Sequence, residues 1–158
     1  MDKENQAFFP DYLERLENLN KNLDQAIQNL PQAALDWIPG PEMNSLAVLL
    51  AHTAGSLRYW IGDVALGEPS GRVREREFQT HGVDQEEFKR RLDEVLEFVR
   101  HNLSRLDIED LDRQLNIEDE SKQVTCGWAL LHALEHGYLH LGHIQITRQL
   151  WENRRNVE

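Results

Sequence analysis

The sequence predicts an all-α fold, a four-helix bundle, and three observations carry that expectation. Four segments repeat apolar residues at three-to-four spacing, the period of a helix with one buried face. Prolines and acidic runs mark where those segments start and stop. No run alternates apolar and polar residues over enough length to make a convincing strand. Amphipathic helices without a sheet must bury their apolar stripes against one another, which is the bundle architecture.

The first helix is expected over Pro10–Leu30, where Leu13, Leu16, Leu19, Leu23, Ile27 and Leu30 form one stripe. Pro10 suits a first turn, where its missing N–H costs nothing, and Pro31 marks the stop. Ala33–Met43 carries Pro39, Gly40 and Pro41 and reads as a connector. Asn44 or Ser45 caps a second helix running to Leu66. Gly67–Gly82, with Pro69, Gly71 and the alternating charges GRVREREF, reads as a long loop. Long ordered loops are more often functional than short ones. Asp84 and Glu87 form a capping-box pattern for a third helix, which runs to Leu106 on Phe88, Leu92, Val95, Val99 and Leu103. An acidic connector, DIEDLDRQLNIEDE, follows, and the fourth helix runs from Val124 to Asn153. The connections on either side of the third helix are long, which leaves room for an order other than simple up-and-down.

A chain of 158 residues is expected to form a single domain, residues 1–158. Its formal net charge of −11 argues against nucleic acid as a partner, because phosphate neutralisation needs clustered Lys and Arg. The same charge argues against docking on anionic lipid. No apolar run approaches the ~20 residues of a membrane helix. The opening MDKENQAFFPDY is acidic and polar where a secretion signal is basic and then apolar. The one cysteine, Cys126, fits a reducing compartment, so a cytoplasmic location is expected.

The chemistry is concentrated in LLHALEHGYLHLGHIQ, where His132, His136, His140 and His143 interrupt an apolar run. At ~100° per residue the four fall within about 80° of one another, in a sector shared with Trp128, Leu139, Ile146 and Leu150. Leu130, Leu134 and Leu141 lie opposite. A helix apolar on two sides is buried twice, and a second copy of the chain is the simplest second partner. Gly137 and Gly142 suggest close approach of another backbone.

His136 and His140 are spaced i, i+4, so both imidazoles can converge on one ion. One helix cannot complete a coordination shell, and the second helix offers His52 on its inward face, with Ser56, Tyr59 and Asp63 beside it. His81 and His101 read as solvated. Two readings stay open on these residues alone: neutral core imidazoles, or a metal site. Arg72, Arg74 and Arg76 alternate with Glu75 and Glu77 and read as a solvated, self-neutralising run. Cys126 reads as an inert small residue, and the four tryptophans as core or interface.

Three blocks, NSLAVLLAHTAGSLRYW, REREF followed by GVD, and GWALLHALEHGYLHLGHIQ, resemble in content, order and spacing the DinB family of DinB/YfiT-like metalloproteins. The resemblance implies a bundle of up-down-down-up type, usually a homodimer. It implies a divalent ion, nickel or zinc, held by one histidine of the second helix and two ligands of the fourth, here His52, His136 and His140. Some relatives use Glu at the first fourth-helix position, but Glu135 turns toward the edge of the sector. Many relatives have Gln where this chain has His143, so His143 and His132 are expected beside the site rather than as ligands. Ser56, Tyr59 and Asp63 are expected to line the pocket. By resemblance, the activity is metal-dependent attack of a low-molecular-weight thiol or of water on a small electrophile, as an S-transferase or hydrolase. The alternative is a non-catalytic interaction protein whose metal is structural or absent.

Overall fold

The computed structural model describes residues 7–117 and 121–154, so the opening MDKENQ and part of the acidic connector lie outside the described residues. Helix α1, Phe8–Ile27, buries Tyr12, Leu16, Leu19, Leu23 and Ile27 along one side. It stops about a turn before the expected Leu30. Asn29 turns the chain there at φ 63°, a region that Asn tolerates better than most side chains. A single turn, α2 (Gln32–Leu35), sits in the connector.

Helix α3, Leu46–Arg58, starts at Ser45, whose Oγ accepts the Val48 N–H at 3.2 Å. It continues as a π-helical segment, Tyr59–Leu66, and ends at Gly67 with a left-handed φ of 69°. The expected loop 67–82 contains one further turn, α4 (Arg74–Glu77). Helix α5, Gln85–Asn102, is capped by Asp84, which accepts the Glu87 N–H at 2.8 Å. Only that half of the capping box forms, because the Glu87 carboxylate is taken by Arg90 and Arg91. A 3-10 turn at Leu103–Arg105 replaces the end expected at Leu106.

The acidic connector corrects the expectation that no strand is present. It holds an antiparallel hairpin of β1 (Gln114–Ile117) and β2 (Lys122–Thr125), with Leu115 opposite Val124. Each strand is four residues long, and only Ile117 and Val124 are fully inside, too few positions for alternation to stand out in a sequence. Thr125 Oγ1 then accepts the Trp128 N–H at 3.0 Å and caps α6, Cys126–Asn153.

Cross-contacts fix the direction of the four long helices. Tyr12 donates to the Leu130 carbonyl, Tyr138 to that of Arg15 and Arg148 to that of Ala26, so α1 and α6 run parallel. Asn20 pairs with Asp93 and Glu17 with Arg100, so α5 opposes α1. Trp60 meets His132 while His52 meets His140, so α3 opposes α6. The result is an up-down-down-up four-helix bundle in which α6 and α5 each pack between α1 and α3.

The buried side of α6 is Leu130, Ala133, Leu134, Gly137, Leu141 and Ile144. Trp128, Leu139, Ile146 and Leu150 do not share a core face with the histidines: they are exposed, and the histidines border both sides. Of the two glycines, Gly137 faces a side chain rather than a backbone, since a Cβ there would stand 2.5 Å from Leu19 Cδ2. Gly142 faces open space. Among the described residues no helix is long and apolar enough to cross a membrane.

These two glycines give opposite expectations. Leu19 is fully buried and cannot withdraw, so Gly137→Ala overpacks the α1–α6 contact by about 1–3 kcal/mol. That exceeds or cancels the roughly 1 kcal/mol gained in helix propensity. Gly142→Ala keeps the gain without the clash. Urea unfolding should place the midpoint of Gly137→Ala below that of Gly142→Ala, and the reverse order would disprove the packing argument.

Candidate metal centre

Antiparallel packing of α3 and α6 brings His52, His136 and His140 together. The ring centroids lie 5.1 Å (His52–His136), 4.9 Å (His52–His140) and 4.4 Å (His136–His140) apart. One nitrogen from each ring falls within 4.8 Å of the others. Nε2 of His136 and Nε2 of His140 face each other at 3.2 Å. An ion bonded at about 2.1 Å to two imidazoles holds their nitrogens about 3.0–3.4 Å apart, so this pair already stands at a ligand–ligand separation.

The remaining ring nitrogens sharpen the picture. His52 is buried, and its Nδ1 meets Glu77 Oε2 at 2.8 Å, leaving Nε2 for the cluster. His136 Nδ1 meets Ser56 Oγ at 3.2 Å, and Ser56 is itself buried. His140 Nδ1 is buried with no hydrogen-bond partner among the described residues. A buried imidazole without a partner is costly, and two facing Nε2 atoms share one proton at most. An electron-pair acceptor between the two facing Nε2 atoms removes the second of these conflicts, so the donor set fits a divalent ion.

Burial holds His136 and His140 well below the ordinary histidine range, each at about 4, and the neighbouring imidazoles push the same way. Both are neutral at pH 7 and have lone pairs to give. Burial pushes the Glu77 carboxyl up, but hydrogen bonds from Arg72 and His52 outweigh it and leave the group below its usual range.

A cavity of about 530 Å³ adjoins the cluster, lined by His52, His136, His132, Ser56, Tyr59, Trp60, Asp63, Arg72, Arg74 and Ile117 among others. Ser56, Tyr59 and Asp63, expected as lining, are on this wall, and His132, expected beside the site, joins them. The wider π turn changes the phase after Arg58 and sets Tyr59, Trp60 and Asp63 on the cavity wall. The Asp63 carboxylate is already engaged: Oδ1 accepts from Arg58 at 3.0 Å, and Oδ2 accepts the Ser70 N–H and hydroxyl at 3.0 and 2.9 Å. His132 stacks on Trp128 at 4.7 Å, one turn from the cluster. His143 is exposed, its ring 5.5 Å from His140. Glu135 is exposed, as its position on the helix suggests, and His81 and His101 are solvated. Cys126 is buried, and burial raises its thiol pKa, consistent with an inert residue.

The sequence reading misplaces one segment. Arg72 and Glu77 do not belong to a solvated charge run. Glu77 is only 9% exposed, and Arg72 grips it through Nε–Oε1 at 2.6 Å and Nη2–Oε2 at 2.9 Å. Alternating charge hid it, because nothing in REREF distinguishes Glu77 from Glu75. Ile117, on the unexpected hairpin, was missed for the same local reason.

Fold and centre together define a class: a helical bundle with crossed connectivity and a histidine cluster shared between its second and fourth long helices. The chain belongs to the DinB superfamily, whose pattern matches residues 15–144. A conserved protein from Enterococcus faecalis superposes with a TM-score of 0.73 at 18% identity, covering 90% of this chain and 96% of its own. YfiT from Bacillus subtilis, described as a probable metal-dependent hydrolase with an unusual four-helix bundle topology, superposes with a TM-score of 0.72 at 16% identity, covering 98% and 91%. At such identities the likeness is one of fold. No curated protein matches the sequence at a significant level.

The depressed histidines set a pH dependence for the metal-free protein. In the unfolded chain both rings take up protons near pH 6.5, whereas in the folded protein they stay neutral down to about 4. The unfolded state therefore binds more protons between those values, and stability is full above about 6.5 and falls as the pH drops toward 4. The urea midpoint of chelator-treated protein should decline from pH 7.5 to pH 5. A His136→Gln/His140→Gln variant should decline less, and an equal slope in both proteins would exonerate these rings.

Proposed function

We propose that the chain is a divalent-metal-binding protein acting as a metal-dependent enzyme, which activates a thiol or water for attack on a small electrophile, as a thiol S-transferase or hydrolase. The observation that carries this reading is the convergence of three imidazoles, within 4.8 Å, beside a cavity of about 530 Å³ that His52 and His136 line. Structural ion sites are closed by four protein ligands, whereas three ligands beside a cavity leave a position for water or substrate. The volume suits a small molecule.

His52, His136 and His140 would hold the ion, and three imidazoles suit nickel or zinc alike. Bound there, a divalent ion supplies a lowered pKa for a coordinated water or low-molecular-weight thiol. Ser56 orients His136 through Nδ1. Trp60, His132 and Ile117 line the cavity with two aromatic rings and an aliphatic side chain. Arg74 lines the cavity, its guanidinium 4.9 Å over the Phe78 ring.

Elemental analysis of tag-free protein tests the reading: wild type should carry about one divalent ion per chain. His52→Ala and His140→Ala should lose it while keeping their helical circular dichroism. Metal-free wild type after reconstitution with nickel or zinc would remove the enzyme reading and leave an interaction protein in its place.

A homodimer through α6 belongs to the same proposal. Leu131, Leu139 and Ile146 are 55–57% exposed on that helix, with Trp128 and Leu150 beside them, a row wide enough to seek a second copy. Sedimentation should find wild type dimeric and Ile146→Glu monomeric with unchanged helicity. A monomeric wild type at micromolar concentration would rule the dimer out.

A further inference from the structure

We propose that Glu77 is the positioning residue of the histidine cluster: its carboxylate holds the His52 imidazole in the one tautomer and orientation that turns Nε2 toward His136 and His140. The consequence for metal affinity rests on the function proposed above, but control of the His52 ring does not.

Glu77 is unlike its neighbours in the charged run. Glu75 is exposed, whereas Glu77 points into the space between α3 and α4 and is buried. Its Oε2 faces His52 Nδ1 at 2.8 Å, so the ring N–H donates to a carboxylate and the lone pair is left on Nε2. Carboxylate–imidazole pairs of this kind fix the tautomer and raise the basicity of a metal-binding ring. A buried carboxylate is tolerated only with a partner, and the two-pronged grip of Arg72 supplies one without taking Oε2 away from His52.

Two features of the chain are needed to deliver this group. The first is Gly55, three residues after His52 on the same side of α3. A Cβ at that position would stand 2.0 Å from Glu77 Oε1 and 2.8 Å from its Cδ. No side chain fits there unless the carboxylate leaves His52. The second is the anchoring of the segment that carries Arg72. Ser70 is tied to Asp63 through N–H and hydroxyl, and Asp63 to Arg58. Thr80 Oγ1 donates to the Glu77 carbonyl at 2.8 Å and closes α4 from the other end. Asp63 thus acts as a tether for the segment that brings Arg72 to Glu77.

A purely structural role, an ion pair that pins α4, makes a different prediction, and three readouts on the full chain separate the two. These are ¹⁵N chemical shifts of the His52 ring in metal-free protein, the Zn²⁺ dissociation constant by competition with a chromophoric chelator, and thermal unfolding. Because Glu77→Ala leaves the half-buried Arg72 without its carboxylate, Glu77→Ala/Arg72→Ala is the informative variant, with Gly55→Ala beside it and Glu75→Ala as control. Wild type and the control should show His52 protonated on Nδ1 alone. The double variant and Gly55→Ala should show mixed tautomers and bind Zn²⁺ about 10–100-fold more weakly. Glu77→Gln, which keeps an oxygen acceptor, should lose less than Glu77→Ala. A folded double variant with the wild-type tautomer and wild-type Zn²⁺ affinity, changed only in unfolding temperature, would overturn the proposal. Wild type that binds no Zn²⁺ would overturn the metal reading alone, because the ring nitrogens still report whether Glu77 governs His52.

Discussion

Everything at the centre depends on how α6 meets α3. On one side α6 is an ordinary core helix, with Leu130, Ala133, Leu141 and Ile144 packed in the bundle and Gly137 accepting Leu19. On the α3 side it presents imidazoles to an imidazole. Charged rings in that position would repel one another and lose solvation, so burial keeps His136 and His140 neutral. A neutral ring still has one donor and one acceptor to satisfy. Glu77 and Ser56 answer one nitrogen each on His52 and His136, and Nε2 of His136 is left directed at Nε2 of His140. The packing thus creates the chemical demand that an ion would meet.

Topology supplies the rest of the centre. Because α3 and α5 run parallel, the chain must travel back along the bundle between them, and a two-residue turn cannot do that. The crossing segment holds Ser70, Arg72 and α4, and it passes close enough to α3 to set Glu77 against His52. On the other side of α5 the demand is different: α5 and α6 are antiparallel but not neighbours, so the connector must cross between them, and its hairpin contributes Ile117 to the cavity wall. The two long connections on either side of α5 are also ones that line the cavity.

The long elements were legible because each offers many turns of consistent pattern. Ser45 and Asp84 even mark their first turns correctly. His52, His136 and His140 could be grouped because helical spacing projects directly onto faces. What stayed hidden depends on short segments and on space. A four-residue strand has too few positions to show a period, and a one-turn helix inside an alternating charge run looks like the run. Gly55 is the clearest case: its meaning lies wholly in the carboxylate it makes room for, which no local pattern reports. The apolar residues of α6 misled in the opposite way. Leu139 and Ile146 are as hydrophobic as core residues, and periodicity cannot tell a core from a surface awaiting a partner.

The disposition of charge bears on which chemistry the centre favours. Two carboxylates approach it, and neither is free to act on a ligand: Glu77 is balanced by Arg72, and Asp63 by Arg58 and Ser70. Imidazole ligands would take nothing from the charge of a bound divalent ion, and Arg74 adds a positive group at the wall. On the proposed reading the cavity is therefore electropositive inside a protein of net charge −11, and it favours the deprotonated form of whatever enters. A thiol gains more from this than water does, because its ordinary pKa of about 8.5 needs only a small shift to give thiolate at neutral pH. On that same proposal thiol transfer and hydrolysis both suit the ligand set, and the thiol is the better served of the two.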